Sequence, residues 1–436
     1  MSDAIGSAEK TFDDRVATRE LALGIVGLGY AGLPLAMTFA ETGFNVLGID
    51  IDEQRVQAIR QGSSYLVDVP AERYERLDGR LEATGDYGAI SRLDAVTICV
   101  PTPLSKTRTP DIGQVVAAAE SVAENLVPGQ LVLLQSTTYP GTTEEIVLPI
   151  LERSGLRAGH DFFLGYAPER VDPGNKQYTI RNTPKLIAGV TEECRRRAEL
   201  LYSQIVEVVI PVSSTMVAET AKLHENTFRA VNIALANELA LMCSRLGISP
   251  WEVIDAASTK PFGFLPHFPG PGLGGDCIPV VPHFLAWRLR EYGYSAQLIE
   301  AAHEVNAQMP VFVVHKVADA LNDAGLPLKG SRVLLLGMAY KPDIHDTRES
   351  PSLEIMRQLL ERHAVVTYCD PWVGEIDLDG VRHQSVEWDP DRLREADCVV
   401  LLTSHRRFSE EPLWEHAPVI VDTRNVVPES PNVHRL

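Results

Sequence analysis

LALGIVGLGYAGLPLAMTFAETGFNVLGID, running from Leu21 to Asp50, decides the fold of this chain. An apolar run from Leu21 to Val26 leads into Gly27, Gly29 and Gly32. A helical pattern follows, and a second apolar run closes on Asp50, 18 residues past the third glycine. In a strand, turn, helix, strand unit the three glycines serve different ends: the first allows a tight turn, the second a close backbone approach to a pyrophosphate, and the third close helix packing. The helix N–H groups then face the phosphates. Asp50 is placed to accept hydrogen bonds from a ribose diol and to repel a 2′-phosphate, which favours NAD over NADP, a preference that Arg55 weakens. Tyr30 and Ala31, inside the same turn, are expected to touch the cofactor. Arg55 reads equally as a solvated helix charge and as a contact near the adenosine. CVPTP, Cys99 to Pro103, ends a later strand where open α/β sheets bind ligands, so Thr102 is a further cofactor candidate.

Working outward, short β-branched runs alternate with helix-length segments: LALGIVG, NVLGID, DAVTICV, LVLLQST, FFLGYA, KLIAGV and VEVVIPV. That alternation predicts a parallel sheet covered on both faces. After Val212 the pattern becomes helical, with one long helix expected from about Ser213 to Leu246. Val217, Ala221, Phe228, Val231, Leu235 and Met242 recur along it as a core or interface stripe. Lys260 to Pro279, KPFGFLPHFPGPGLGGDCIP, holds too much Gly and Pro for either regular element and must be a shaped loop. A second strand-rich block, RVLLLGMAY, AVVTYCD, DCVVLLTS and PVIVDT, follows GLPLKG. The expected architecture is α/β, with two doubly wound Rossmann-like domains joined by a central helical domain that carries the long helix. Its boundaries are a mobile tail over 1–20, an NAD-binding domain over 21–212, the helical domain over 213–325, and a second α/β domain over 326–436.

Composition narrows the function. The 436 residues carry 40 Lys and Arg against 59 Asp and Glu, a net charge of −19. A field of that sign disfavours nucleic acid and anionic membranes, so any phosphate must be held by a few local donors. The six cysteines form no CxxC pair, which implies a reducing compartment. With no apolar run of about 18 residues, the chain is expected to be cytoplasmic. HExxH, paired CxxC and Asp-rich calcium loops are absent, and no metal site is expected.

Four further segments carry chemistry. Cys277 sits in GPGLGGDCIP, just ahead of a helix expected near Pro279. A free cysteine is usually a small buried hydrophobe. Here nearby glycines admit a substrate and a helix N-terminus favours thiolate, so this sulfur can attack an aldehyde. Lys222 and Asn226 stand i, i+4 on the long helix, either as a wet surface pair or as a pair that stabilises an oxyanion and passes protons. STTYPGTTEEI places Thr137 at a strand's carboxyl end, where its hydroxyl can orient water, and shows a capping-box pattern at Thr142 and Glu145. YAPERVDPG, Tyr166 to Gly174, offers Glu169 as a general base, against the commoner exposed loop glutamate.

Taken together, GLGYAGLPLA, STTYPGTTEEI, YAPERVDPG, NTPKLIAGVT, AKLHENTFRAVNIALANELA, PFGFLPHFPGPGLGGDCIPV and GMAYKPDIHDTRESPS resemble the nucleotide-sugar 6-dehydrogenases of the UDP-glucose/GDP-mannose dehydrogenase family. The resemblance runs from about Leu21 to Pro428 and is greatest to the branch acting on UDP-N-acetylhexosamines. It implies an NAD-binding amino-terminal domain, a central helix that builds a homodimer or a dimer-based oligomer, and a carboxyl-terminal domain for the nucleotide-sugar substrate. It also implies a four-electron oxidation of a C6 alcohol to a carboxylate. Cys277 then matches the nucleophile, Lys222 and Asn226 the oxyanion and proton-handling pair, Glu169 the base for hydrolysis, and Thr137 the residue that positions water. Lys341, Arg348 and Arg424 match substrate contacts, Arg170 and Val171 are expected beside them, and Lys260 is expected to reach a neighbouring subunit's substrate.

One position departs from the family pattern. Val281 stands where the family carries an Asp four residues after the cysteine, and Asp276 precedes Cys277 where this branch usually has His. That substitution bears on thioester hydrolysis and on the proton traffic of Lys222, and implies either a slower enzyme or one that stops at the aldehyde. Two rivals follow: a two-electron dehydrogenase of the hydroxyacid type, which needs neither Cys277 nor a second α/β domain, and a weakened binder of NAD and nucleotide sugar.

Overall fold

Alternate residues of the first strands go to opposite cores. Leu23, Ile25, Leu131 and Leu133 join one buried cluster, whereas Val26, Val132 and Leu134 join another. Period-two strands buried on both sides are the mark of a sheet with helices on each face. The computed structural model describes residues 10–66, 69–105, 107–172, 175 and 177–436. Met1 to Glu9 of the expected tail, and Pro173 and Gly174 of YAPERVDPG, lie outside the described residues. Two compact units result, Met1–His224 and Glu225–Leu436.

The first unit holds an eight-stranded sheet: β1 (Ala22–Val26), β2 (Asn45–Ile49), β3 (Leu81–Thr84), β4 (Ala95–Ile98), β5 (Leu131–Leu134), β6 (Phe163–Tyr166), β7 (Lys185–Gly189) and β8 (Val209–Pro211). Their order is β3-β2-β1-β4-β5-β6-β7-β8. Three expectations are corrected here. β3, a four-residue edge strand with one buried position, went unread in the sequence because it has no apolar run. β7 pairs antiparallel to β6, with Tyr166 opposite Ala188, where a parallel strand was expected. A parallel return needs a crossover, usually a helix, and no helix lies among the described residues between β6 and β7. Finally, Phe12–Ala17, expected to be mobile, is a helix with a capping box between Thr11 and Asp14, and Arg15 of that helix pairs with Asp94.

The long helix runs over Thr215–Leu246 and crosses from one unit into the other. Its apolar stripe is not core: Val217, Phe228, Leu235 and Met242 are 45–60% exposed. Buried on the opposite side are Ala218, Ala230, Ala234, Ala240 and Cys243. In the second unit a helix over Gln297–Asp323 leads to β9 (Arg332–Leu336), β10 (Val365–Cys369), β11 (Glu375–Leu378), β12 (Val381–Gln384), β13 (Cys398–Leu401), β14 (Ile420–Asp422) and β15 (Val433–Arg435). A parallel five-stranded sheet has the order β10-β9-β13-β14-β15, and β11 and β12 form a separate hairpin. β12 and β15 are short and bury no residue, and β11 buries Ile376 and Leu378 in alternation over only four residues, too few to stand out in the sequence.

Both sheets turn out of their first strand by one device. Gly27 and Gly337 each have φ of 90°, and a Cβ there would lie 2.8 Å from the Cys99 carbonyl oxygen and 2.5 Å from Thr403 Cβ, respectively. No described helix is long and apolar enough to cross a membrane.

Candidate active site

Since β1, β4, β5 and β6 are parallel, Gly27, Thr102, Thr137 and Glu169 all follow carboxyl ends on one edge of the first sheet. Open α/β sheets bind ligands at that edge. A Cβ on Gly32 would lie 1.8 Å from the Gly27 carbonyl oxygen, so the helix Gly32–Glu41 packs as closely as the motif requires. A Cβ on Gly29 would meet nothing within 4 Å, which leaves room for a pyrophosphate there. No side chain caps that helix at Ala31, so its amino end is fit to take an anion.

Asp50 is buried at 5% exposure and accepts from the N–H groups of Leu28 (2.7 Å) and Asp52 (2.8 Å). Arg55 faces carboxylates on both sides, with Asp50 at 3.2 Å and Asp52 at 3.3 Å. It therefore partners the acid at the ribose end of the motif and is not a free helix charge. With three donors on Asp50, one of about four carboxylate acceptor sites stays open for a ribose hydroxyl. The residues fit NAD.

Further along the edge, the Thr102 hydroxyl donates to the Thr137 carbonyl at 2.6 Å and the Ser136 hydroxyl to the Val100 carbonyl at 2.7 Å, tying the loops after β4 and β5 together. The expected capping box is absent. Thr142 donates instead to the Tyr139 carbonyl and its side chain makes no cap, and residues Thr143–Val147 form a π-helical turn. Glu219 of the long helix takes over, accepting from Gly141 N–H (2.6 Å), Thr143 N–H (2.9 Å) and the Thr143 hydroxyl (2.6 Å). Burial pushes its carboxyl up to about 7 against those three donors.

Glu169 is not an exposed loop acid. Its Oε1 accepts from Arg170 and Val171 N–H, each at 2.8 Å, while Oε2 accepts from the Gln135 amide at 2.8 Å and lies 3.5 Å from Lys185 Nζ. Burial works to raise its pKa, but Lys185, the two N–H groups and Lys222 outweigh it and hold the carboxyl below the ordinary range. Lys185, almost fully buried, also donates to Gln135 Oε1 at 3.2 Å, which accepts from the Tyr202 hydroxyl at 2.6 Å. Sequence reasoning missed Lys185, Gln135, Tyr202 and Glu219. One signal was available: a charge heading the otherwise apolar strand KLIAG. Arg170 donates to the Pro184 carbonyl at 2.6 Å, and Val171 is half-buried.

Lys222 and Asn226 are both buried, at 8% and 6% exposure, which removes the wet-surface reading. The Asn226 amide nitrogen is buried without a hydrogen-bond partner, an orphan donor that an incoming oxygen would satisfy.

In the second unit the glycine-rich loop, irregular as expected, is fixed against its surroundings. Gly270 N–H donates to Asn237 Oδ1 at 2.9 Å, and a Cβ on Gly270 would lie 2.7 Å from Arg424 Nη1. Arg424 follows β14, donates to the Leu402 carbonyl at 2.7 Å, and is lowered by burial, against Asp422, to about 10. Gly275 N–H donates to the Arg348 carbonyl at 2.9 Å, and a Cβ on Gly274 would strike Tyr340 at 2.4 Å. Arg348 pairs with Asp276 and, at 2.6 Å, with Asp346. Lys341, Arg348 and Arg424 thus follow carboxyl ends of parallel strands β9 and β14.

Cys277 is exposed, whereas Cys99, Cys194, Cys243, Cys369 and Cys398 are buried. Burial pushes the Cys99, Cys369 and Cys398 thiols up to about 12. The helix after Cys277 starts at Val281, two residues later than expected, and Val281 N–H donates to the Cys277 carbonyl at 3.0 Å. Val281 is itself buried. Lys260 is exposed, with its ammonium 5.0 Å from the Phe262 ring centre. Among the described residues no group of three or more His, Cys, Asp or Glu is arranged to hold a metal.

Three domain profiles of the UDP-glucose/GDP-mannose dehydrogenase family match the chain: the NAD binding domain over residues 21–206, the central domain over 216–308 and the UDP binding domain over 334–429. The UDP-N-acetyl-D-glucosamine 6-dehydrogenase of Pseudomonas aeruginosa is 38% identical, over 82% of this chain and 85% of that protein. The solved structure of the UDP-D-ManNAc dehydrogenase from Pyrococcus horikoshii superposes with a TM-score of 0.86 at 34% identity, covering 95% of this chain and 99% of that one. A UDP-N-acetyl-mannosamine dehydrogenase of Staphylococcus aureus gives 0.82 at 33% identity, covering 95% and 98%. With an NAD binding domain and a UDP binding domain in one chain, the protein belongs to the UDP-glucose/GDP-mannose dehydrogenase family and is an NAD-dependent nucleotide-sugar dehydrogenase.

Proposed function

We propose that the chain oxidises C6 of a UDP-N-acetylhexosamine, with UDP-N-acetylglucosamine or its manno epimer as substrate, from alcohol to carboxylate through a covalent intermediate on Cys277. The observation that carries this reading is the exposed Cys277, held in a glycine-rich loop among five buried cysteines. NAD, when bound at the first sheet, supplies the hydride acceptor for both oxidations. Lys222 and Asn226 handle the hydroxyl proton and the developing oxyanion. The Cys277 thiolate adds to the C6 aldehyde, forming a C–S bond, and loss of the second hydride leaves a thioester. Water, positioned by Thr137 and deprotonated by Glu169, attacks the carbonyl carbon. The C–S bond breaks, the acid departs and the thiolate is restored. Arg170, Val171, Lys341, Arg348 and Arg424 hold the nucleotide sugar.

The exposed stripe of Val217, Phe228, Leu235 and Met242 supports a homodimer built on the long helix, with Lys260 reaching the second copy's substrate. Incubation with NAD and a panel of UDP-hexosamines tests the chemistry, with two NADH expected per sugar consumed. Cys277→Ser is expected to end uronate release while leaving NAD binding within about twofold. A ratio near one overturns the four-electron reading, and uronate from the serine variant overturns the Cys277 intermediate.

A further inference from the structure

The antiparallel turn at β7 brings a cation to an edge otherwise built from strand carboxyl ends. β6 and β7 pair Gly165 with Gly189 and Tyr166 with Ala188. Extended three residues past the end of β6, the same register points Glu169 at Lys185, the first residue of β7. A parallel β7 would have started at the other edge of the sheet and left Glu169 without this partner. Lys185 Nζ reaches Glu169 Oε2 at 3.5 Å and Gln135 Oε1 at 3.2 Å, while the Gln135 amide donates to the same Glu169 oxygen. Its ammonium also lies 5.1 Å from the Tyr202 ring centre, whose hydroxyl fixes Gln135. A lysine at 4% exposure is costly to bury, and this one is spent on a single carboxylate.

Resting on the dehydrogenase reading above, we infer that Lys185 is a positioning residue for thioester hydrolysis: it clamps Glu169 through Oε2 and keeps that carboxylate ionised to accept a proton from the attacking water. The ionisable groups facing Glu169 are Lys185 on β7, Lys222 on the long helix, and Cys99 and Tyr202 nearby. Both cations favour the carboxylate, and Lys185 is the stronger influence of the two. In the hydrolytic step the water proton passes to Glu169 and the water oxygen bonds to the thioester carbon as sulfur leaves. Lys185 forms and breaks no bond. Protonation of Glu169 before that step blocks it, so the acid limb of uronate release reports the clamp.

The experiment compares wild type, Lys185→Met and Lys185→Arg as full-length chains, following NADH and uronate across pH with a UDP-hexosamine the wild type accepts. Lys185→Met is expected to move the acid limb of kcat up by at least about one pH unit, with KM changed less than about threefold, since the buried carboxyl loses its nearest cation. Lys185→Arg keeps the charge and is expected to hold the limb in place. Where methionine prevents folding, Lys185→Gln removes the charge, retains a donor and carries the same expectation. An unmoved limb in the neutral variants, or a loss of rate equal at every pH, overturns the role of Lys185 while leaving the dehydrogenase reading intact. Wild type that makes no NADH from any nucleotide sugar overturns that reading itself.

Discussion

Val281 is where single-residue reasoning meets the structure most directly. Its side chain is buried at the first position of the helix that follows Cys277, and Asp276, on the other side of the sulfur, is committed to Arg348. No carboxylate is therefore carried four residues beyond the nucleophile, and Asp276 is already engaged by a guanidinium. Val281→Asp is expected to raise the rate of uronate release about tenfold, roughly 1.4 kcal/mol of barrier, measured as steady-state NADH with Cys277 intact; an unchanged or lower rate shows that the missing acid does not limit turnover. Cys277, Lys222 and Glu169 stood out in the sequence by type, spacing and resemblance, and the structure leaves the first exposed and buries the second. Their partners did not stand out. Lys185 is 16 positions from Glu169 and Gln135 is 34, and a contact over that distance is fixed by strand order, which periodicity does not encode.

Elements were legible in proportion to their apolar content. The long helix, the glycine-rich loop and the buried strands follow from periodicity and from Gly and Pro, whereas β3, β12 and β15 bury too little to leave a pattern, and β11, which buries Ile376 and Leu378, alternates over only four residues. The turn at Gly141 to Thr143 shows the same limit from the other side: a local capping pattern was present, yet the Thr142 and Glu145 N–H groups donate to the Tyr139 and Gly141 carbonyls, and Glu219, far along the chain, accepts from the Gly141 and Thr143 N–H groups beside them. That carboxyl, raised from 4.5 to about 7 by burial, keeps its proton in the folded chain where the unfolded chain has lost it. Its contribution to stability is complete below about pH 4.5 and disappears as pH climbs through about 7. Glu219→Gln is expected to flatten this segment of the stability–pH curve, read from urea midpoints, and to cost about 1–3 kcal/mol because one donor loses its acceptor. A slope identical to wild type would show that Glu219 does not titrate there.

On the scale of the whole molecule, charge and apolar surface make separate statements. A net charge of −19 requires any bound anion to be held by local devices, for which the uncapped end of the helix Gly32–Glu41 is fit. The long helix, meanwhile, leaves Leu235 60% exposed in the middle of its stripe. Leu235→Asp is expected to convert a dimer to a monomer in sedimentation equilibrium with the far-ultraviolet circular dichroism unchanged, since the site touches no core of the single chain; a dimer that persists moves the interface elsewhere.

A chain with two copies of one nucleotide-holding scaffold faces a sorting problem, and the acid at the end of each second strand addresses it. Asp370 occupies in the second sheet the place that Asp50 occupies in the first, but five donors already claim it: the N–H groups of Met338, Ala339, Trp372 and Val373, and the ring of His405. No lone pair remains there for an adenosine sugar, so the coenzyme finds only one of two look-alike cradles open to it.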